Sequence, residues 1–165
     1  FTVGDLLSAL LINSANDAAV VLAREHSGSV DAFVLAMNAR AEELGLKETH
    51  FVNPTGIDAL TQESSPQDLA WLTMFVMRYP QISERMGLRS TAIFSRSGRA
   101  IALNHTHALM HQTSQIVAGK TGTTWSAGQC LVSVVEEEGR RYLVVILGSD
   151  DRYRDMRVIL EALRA

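Results

Sequence analysis

The segment Lys120-Thr121-Gly122-Thr123 places a cation, two hydroxyl groups and a glycine within four residues. It lies where we expect a β-strand, and glycine weakens a strand unless something must approach its backbone closely. The ammonium group and the two hydroxyls of such a strand suit the binding of a carboxylate, while Gly122 removes the steric barrier to main-chain pairing. The plainer interpretation is an exposed edge with a solvated lysine. Short motifs match by chance, and the tetrapeptide alone favours that plainer interpretation.

A second candidate segment is Ser14-Ala15-Asn16, which lies between two predicted helices. Serine and asparagine commonly begin or end helices, so capping is the plain interpretation of this segment when it is taken alone. Together with the lysine segment, Ser14-Ala15-Asn16 gains weight as a functional candidate. Lysine is scarce in this chain, because Lys47 is the only other one.

Up to residue 80 the apolar residues recur at helical spacing. A capping-box-like start at Thr2–Asp5 precedes the first helix, which is predicted to end at residues 13–16. Asp17 can start a second helix, and Ser27-Gly28 ends it. A third helix follows the cap Ser29 and closes at Gly45, and residues 46–64 are predicted to be a loop. Further helical signals are a cap at Ser65, a first-turn proline at Pro66 and a stop at Pro80.

After residue 90 the apolar period changes towards 2, which is typical of strands. A short hairpin is predicted around Ser97-Gly98, a longer one from Cys130–Glu137 and Arg141–Ser149, and a closing helix over Asp155–Leu163. Strands that follow helices and pair with antiparallel neighbours predict an α+β fold.

Length and composition exclude several classes of structure and binding partner. The 165 residues suit one domain, and a net charge of -3 offers no electrostatic surface for nucleic acid. The longest apolar stretch is too short to cross a bilayer, so we expect membrane contact only through segments outside this sequence. The lone Cys130 cannot form an intrachain disulfide.

The two candidate segments together resemble known enzymes. Ser-x-Asn followed by Lys-Thr-Gly matches two of the three signatures of penicillin-interacting serine enzymes, the third being Ser-x-x-Lys. The resemblance to the D-alanyl-D-alanine carboxypeptidase family, the low-molecular-weight penicillin-binding proteins, extends along nearly the whole chain. It is carried by Thr2–Ala23, Phe33–Asn38, Leu44-Gly45, Thr49–Gly56, Asp68–Ala70, Gly119–Thr124, Ala127-Gly128 and Leu131-Val132.

The resemblance implies a β-lactamase and transpeptidase-like fold, in which helices flank an antiparallel sheet. It also implies an exported enzyme, in the periplasm or on the outer face of the bacterial cytoplasmic membrane, that needs no cofactor or metal. The implied substrate is a peptidoglycan stem peptide ending in D-Ala-D-Ala, the implied reaction is acyl transfer through an acyl-enzyme, and β-lactams are the implied inhibitors.

The resemblance also implies a role for each site residue. Ser14 would relay a proton to the leaving amine, and Asn16 would hydrogen-bond the acyl-side amide of the substrate. The terminal carboxylate would be held by Lys120, Thr121 and Thr123, with the backbone N–H of Thr123 as an oxyanion donor. Arg154, rather than Arg152, would reinforce the carboxylate site.

The sequence departs from the family pattern at the nucleophile. Ser-x-x-Lys requires a serine three residues before a lysine, but Leu44 precedes Lys47 and Val117 precedes Lys120. We therefore expect residues 1–165 to be one catalytic domain that is incomplete at its N-terminus and inactive alone, with the tetrad upstream of Phe1.

Alternatives remain open. A class A β-lactamase needs a glutamate in Glu-x-x-Leu-Asn, which this chain lacks, and a peptidoglycan-binding module would keep the carboxylate site without ever being acylated. Three histidines, His105, His107 and His111, have a spacing that a metal site could use, although the family resemblance supplies no metal there. Trp125 could shape the cleft or cover the sheet.

Overall fold

Six α-helices and five β-strands make up residues 1–164, the part of the chain that the computed structural model describes. The helices are α1 (Val3–Asn13), α2 (Asn16–Ser27), α3 (Val30–Glu43), α4 (Pro66–Val76), α5 (Pro80–Gly87) and α6 (Arg152–Ala162). The strands are β1 (Ser90–Phe94), β2 (Ala100–Asn104), β3 (Ile116–Thr124), β4 (Gly128–Glu137) and β5 (Arg140–Ser149). A short 3₁₀ turn, Ala108–His111, lies between β2 and β3. None of the helices described is both long enough and apolar enough to cross a membrane.

The first helices begin where the sequence predicts. Thr2 and Asp5 form a complete capping box, in which each side chain accepts a hydrogen bond from the other residue's backbone N–H. Gly28 ends α2 in the left-handed conformation, with φ of 79°, and Ser29 caps α3. These caps fix the start of α1 and the boundary between α2 and α3.

The prediction for Pro80 is incomplete, because this proline begins a helix as well as following one. Helix α4 already ends at Val76, and Pro80 is the first residue of α5, where its missing N–H costs nothing. The side chain of Arg85 in α5 donates to Ser8 Oγ of α1 at 3.0 Å. Helix α5 therefore contacts α1 as well as the sheet that contains β3.

The strands form two antiparallel sheets, which confirms the predicted α+β class. Strands β1 and β2 form a hairpin, while β3, β4 and β5 form a separate sheet with β4 in the middle. In the β3–β4 register, Lys120 lies opposite Val132 and Gly122 lies opposite Cys130. Consequently, the lysine segment occupies an outer strand of the described sheet.

Three apolar clusters hold these elements together. One joins the larger sheet to α6 and the 3₁₀ turn, a second joins α1 to the hairpin, and a third joins α5 to the sheet. Strand β3 contributes Ile116 to the first cluster and Ala118 to the third, and both side chains are almost fully buried. The start of β3 is thereby fixed from two sides just before Lys120.

Helix α6 begins three residues earlier than the sequence predicts. Asp151 is its N-cap, and the carboxylate oxygen Oδ1 accepts the backbone N–H groups of Tyr153 at 3.2 Å and Arg154 at 3.0 Å. Arg152 and Arg154 are therefore helical residues rather than parts of an extended loop.

Two glycines of β3 provide a test of the packing. A Cβ at Gly119 would lie 2.5 Å from His107 Cδ2 and 2.8 Å from the carbonyl oxygen of Val132, so Gly119→Ala must displace the histidine or the strand. Its matched control is Gly122→Ala, whose new Cβ would meet Cys130 Cβ at an ordinary 3.7 Å. In urea unfolding we expect Gly119→Ala to lose about 1–3 kcal/mol and Gly122→Ala to lose about 0.5 kcal/mol or less. Equal losses would contradict this packing of β3 against His107.

Candidate active site

The turn between α1 and α2 is unusual at Ser14. This residue caps the C-terminus of α1 with φ of 54° and ψ of 39°, a left-handed conformation that costs a non-glycine residue roughly 1–2 kcal/mol. Its backbone N–H donates to the carbonyl of Ala9, and α2 begins two residues later at Asn16. Such backbone strain is concentrated at functional sites, and it adds a second functional signal to Ser14 beside the family resemblance.

Lys120 lies in direct contact with this turn. Its Nζ donates to Ser14 Oγ in a short hydrogen bond and to the carbonyl oxygen of Thr121 at 2.6 Å. Asn16 lines the same cavity as both residues. The structure therefore joins the two segments that the sequence singled out, although 106 residues separate Ser14 from Lys120.

The electrostatics of Lys120 are unusual for a lysine. Burial and, to a smaller extent, the positive charge of Arg152 lower the pKa of its ammonium group from 10.5 to about 8. None of the ion pairs among residues 1–164 involves Lys120, so no carboxylate of the described chain compensates its charge. A half-buried cation without a counter-ion is suited to binding an anion.

The hydroxyl groups after Lys120 have different partners. Thr121 is only 9% exposed, and its Oγ1 lies 2.6 Å from Thr106 Oγ1. Thr123 Oγ1 accepts a hydrogen bond from Arg152 Nη1 at 2.8 Å. The predicted carboxylate-binding residues Lys120, Thr121, Gly122 and Thr123 all line one cavity.

The structure places Arg152, and not Arg154, at this strand. Arg152 Nη1 donates to Thr123 Oγ1, to the carbonyl oxygen of Gly122 at 2.6 Å and to that of Cys130 at 3.2 Å. Arg154 instead pairs with Asp155 at 3.5 Å, and its side chain is 68% exposed. The expectation for Arg154 assumed an extended loop. Because α6 already begins at Arg152, the side chains of Arg152 and Arg154 leave the helix axis in directions about 200° apart.

The cavity has a volume of about 1190 Å³ and is bounded on one side by residues of the loop 46–65. This loop is tied to the β3–β4 turn, because Asp58 Oδ2 accepts the backbone N–H of Ser126 at 3.0 Å. Two hydrogen bonds, the stronger effect coming from Thr124 and the next from Ser126, lower the pKa of the Asp58 carboxyl group. Trp125 is 98% exposed at the same turn and does not cover the sheet. The loop and the turn together therefore form one continuous wall of the cavity.

The three candidate histidines have structural partners. His107 Nε2 lies 2.8 Å from Ser133 Oγ, His105 Nδ1 accepts the backbone N–H of His107 at 3.0 Å, and His111 Nε2 lies 3.0 Å from the carbonyl oxygen of His105. Burial lowers the pKa of His105 and of His107 to about 4. Within residues 1–164 no three His, Cys, Asp or Glu side chains are grouped closely enough to hold a metal ion.

Two residues near the site were missed by sequence analysis. Thr106 contacts Thr121, and Tyr153, which follows Arg152, donates its hydroxyl to the carbonyl oxygen of Thr106 at 3.0 Å. Neither residue belongs to a motif or a periodic pattern, so the sequence held no signal for them.

The presence of only two lysines makes the pKa of Lys120 directly measurable. With ¹³C,¹⁵N-labelled lysine we expect one side-chain NMR signal to titrate near pH 8, with the amine charged below that pH and neutral above it. The signal should disappear in Lys120→Met and persist in Lys47→Met. Arg152→Met should raise the pKa, because it removes a neighbouring positive charge. A Lys120 signal that titrates only near 10.5 would contradict the buried environment.

The chain is similar to known proteins in sequence and in structure. Residues 1–151 match the family model described as D-alanyl-D-alanine carboxypeptidase. The chain is 33% identical over 148 residues to the D-alanyl-D-alanine carboxypeptidase DacF of Bacillus subtilis, covering 90% of this chain and 38% of that protein. It is 38% identical over 130 residues to a D-alanyl-D-alanine endopeptidase of Pseudomonas aeruginosa, covering 78% of this chain and 42% of that protein.

Solved structures agree with this similarity. A mutant of a Streptomyces DD-transpeptidase superposes with a TM-score of 0.90 at 26% identity, over 97% of this chain and 67% of that one. A penicillin-binding protein from Listeria monocytogenes in its cefotaxime-bound form superposes with a TM-score of 0.83 at 29% identity, over 98% of this chain and 66% of that one. The chain spans about two fifths of the length of the curated relatives it matches. With the family model covering most of its length, the chain belongs to the D-alanyl-D-alanine carboxypeptidase family.

Proposed function

We propose that this chain forms the carboxylate-binding side of the active site of a serine-type D-Ala-D-Ala carboxypeptidase. Its substrate is a peptidoglycan stem peptide, from which it removes the terminal D-alanine in the periplasm or at the outer face of the cytoplasmic membrane. The observation that carries the proposal is the contact of Ser14 with Lys120, a half-buried cation that no described carboxylate neutralises.

The free carboxylate of the substrate binds to the end of β3. Lys120 supplies positive charge, the hydroxyls of Thr121 and Thr123 donate hydrogen bonds, and Gly122 lets the substrate backbone approach the strand. Arg152 takes the role that the sequence assigned to Arg154, because its guanidinium already contacts Thr123. A substrate without a C-terminal carboxylate offers no anion for Lys120 and Arg152 to bind.

The acyl transfer then proceeds in two steps. A serine oxygen attacks the carbonyl carbon of the penultimate D-alanine, the C–N bond breaks, and the leaving amine of D-alanine takes a proton relayed through Ser14. Water subsequently hydrolyses the acyl-enzyme ester. Asn16 hydrogen-bonds the acyl-side amide, and the backbone N–H of Thr123 stabilises the oxyanion. No Ser-x-x-Lys occurs in these 165 residues, so the proposal places the nucleophile and its lysine base outside them.

The complete protein tests the reaction. We expect it to release D-alanine from an N-acyl-Lys-D-Ala-D-Ala peptide and to be labelled covalently by a fluorescent penicillin. Ser14→Ala should lower kcat about 100-fold or more, because it removes the proton relay. The control Ser97→Ala, in the exposed turn of the β1–β2 hairpin, should change kcat little. If the complete protein binds muropeptides but neither releases D-alanine nor is labelled by penicillin, it is a binding module and not an enzyme.

The two arginines test the carboxylate site. Arg152→Ala should raise KM for the free-acid peptide about 10-fold or more, since hydrogen bonds to charged groups contribute about 1.5–3 kcal/mol. Arg154→Ala removes the same kind of side chain two residues further on and should leave KM within about twofold, because exposed ion pairs such as that of Arg154 with Asp155 contribute little. A larger rise in KM for Arg154→Ala than for Arg152→Ala would assign carboxylate binding to Arg154.

A further inference from the structure

Thr106 forms hydrogen bonds with three of the elements that carry the proposed site, α1, β3 and α6. Its backbone N–H donates to the carbonyl oxygen of Ile12 at 3.1 Å, in the last turn of α1 before Ser14. Its hydroxyl lies 2.6 Å from Thr121 Oγ1 on β3. Its carbonyl oxygen accepts the hydroxyl of Tyr153 at 3.0 Å, in the first turn of α6 beside Arg152.

Tyr153 is itself held in place, so its contact with Thr106 is well defined. While the tyrosine hydroxyl donates to Thr106, it accepts the backbone N–H of Ala108 at 2.9 Å. The guanidinium carbon of Arg152 lies 5.2 Å from the centre of the Tyr153 ring, a cation–π geometry. Thr106 is thus linked through one side chain to the arginine that contacts Thr123.

We propose that Thr106 is a positioning residue for the carboxylate site, where its hydroxyl orients the hydroxyl of Thr121 towards the substrate. This inference rests on the proposed function. A threonine hydroxyl has one proton to donate, and a carboxylate can only accept. When Thr121 gives its proton to the substrate, its oxygen is free to accept the proton of Thr106. Thr106 therefore favours the one arrangement of the pair in which Thr121 donates into the cavity.

The energetic consequence follows from burial. Thr121 is 9% exposed, so little water is available to replace Thr106 as a donor to its oxygen. Successive hydrogen bonds polarise one another, which strengthens the bond from Thr121 to the anion. The backbone contacts of Thr106 with Ile12 and Tyr153 do not use its side-chain oxygen. A substitution that removes only the hydroxyl therefore separates orientation of Thr121 from support of the fold.

The test uses Thr106→Val in the complete protein, with Thr106→Ser as the matched control. Valine keeps the shape and the backbone hydrogen bonds but has no hydroxyl, whereas serine keeps the hydroxyl. We expect Thr106→Val to raise KM for the free-acid D-Ala-D-Ala peptide about 5- to 20-fold, with kcat within about twofold. The KM for the same peptide with an amidated C-terminus should stay nearly constant. Thr106→Ser should resemble the wild type on both substrates.

A double-mutant cycle with Thr121→Val shows whether Thr106 acts through that residue. If it does, adding Thr106→Val to Thr121→Val should cause no further rise in KM. Tyr153→Phe, which removes the bond to the Thr106 carbonyl, should raise KM in the same direction and serves as the second variant if Thr106→Val does not fold.

Several results would overturn the inference. An unchanged KM in Thr106→Val, equal losses on the acid and the amide, or fully additive effects in the cycle would each remove Thr106 from the carboxylate site while leaving the proposed function intact. If Thr106→Val does not fold, an unchanged KM in Tyr153→Phe has the same meaning. If the wild-type protein releases no D-alanine, the proposed function fails first, and the inference fails with it.

Discussion

The arrangement of the site depends on a half-buried ammonium group that has no carboxylate partner among residues 1–164. Lys120 donates to a hydroxyl and to a backbone carbonyl, which accept two of its three N–H groups without neutralising its charge. Burying such a charge lowers its pKa, and here the pKa falls to about 8. The protein therefore stores an unfavourable interaction that a bound anion would relieve. The neighbouring Arg152 adds to this effect, because its positive charge also lowers the pKa of Lys120.

The surrounding elements maintain this constraint from several directions. The left-handed turn at Ser14 presents an oxygen to the lysine, and the packing of β3 on two apolar clusters fixes the strand before Lys120. Helix α6 starts early enough to bring Arg152 to Thr123, and Thr106 joins α6, β3 and α1 by hydrogen bonds. Four distant parts of the chain thus meet at one end of β3.

The sequence predicted the parts of this arrangement that depend on local chemistry. Capping residues and apolar periods identified most helices and strands, and the resemblance of Ser-x-Asn and Lys-Thr-Gly to the family motifs singled out the two segments that the fold brings into contact. The position of Arg152 was missed because Asp151 begins α6 three residues before the apolar pattern indicates a helix. Thr106 was missed because its role arises from three long-range hydrogen bonds, which leave no pattern in the neighbouring residues.

We propose that Lys120 binds the free carboxylate of the substrate, a role that kcat/KM of Lys120→Ala in the complete protein tests on two matched peptides. One peptide ends in D-Ala-D-Ala and the other is its C-terminal amide. We expect Lys120→Ala to lose several kcal/mol of transition-state stabilisation on the acid, on the order of 100-fold or more in kcat/KM, and much less on the amide. Equal losses on the two peptides would contradict this role of Lys120.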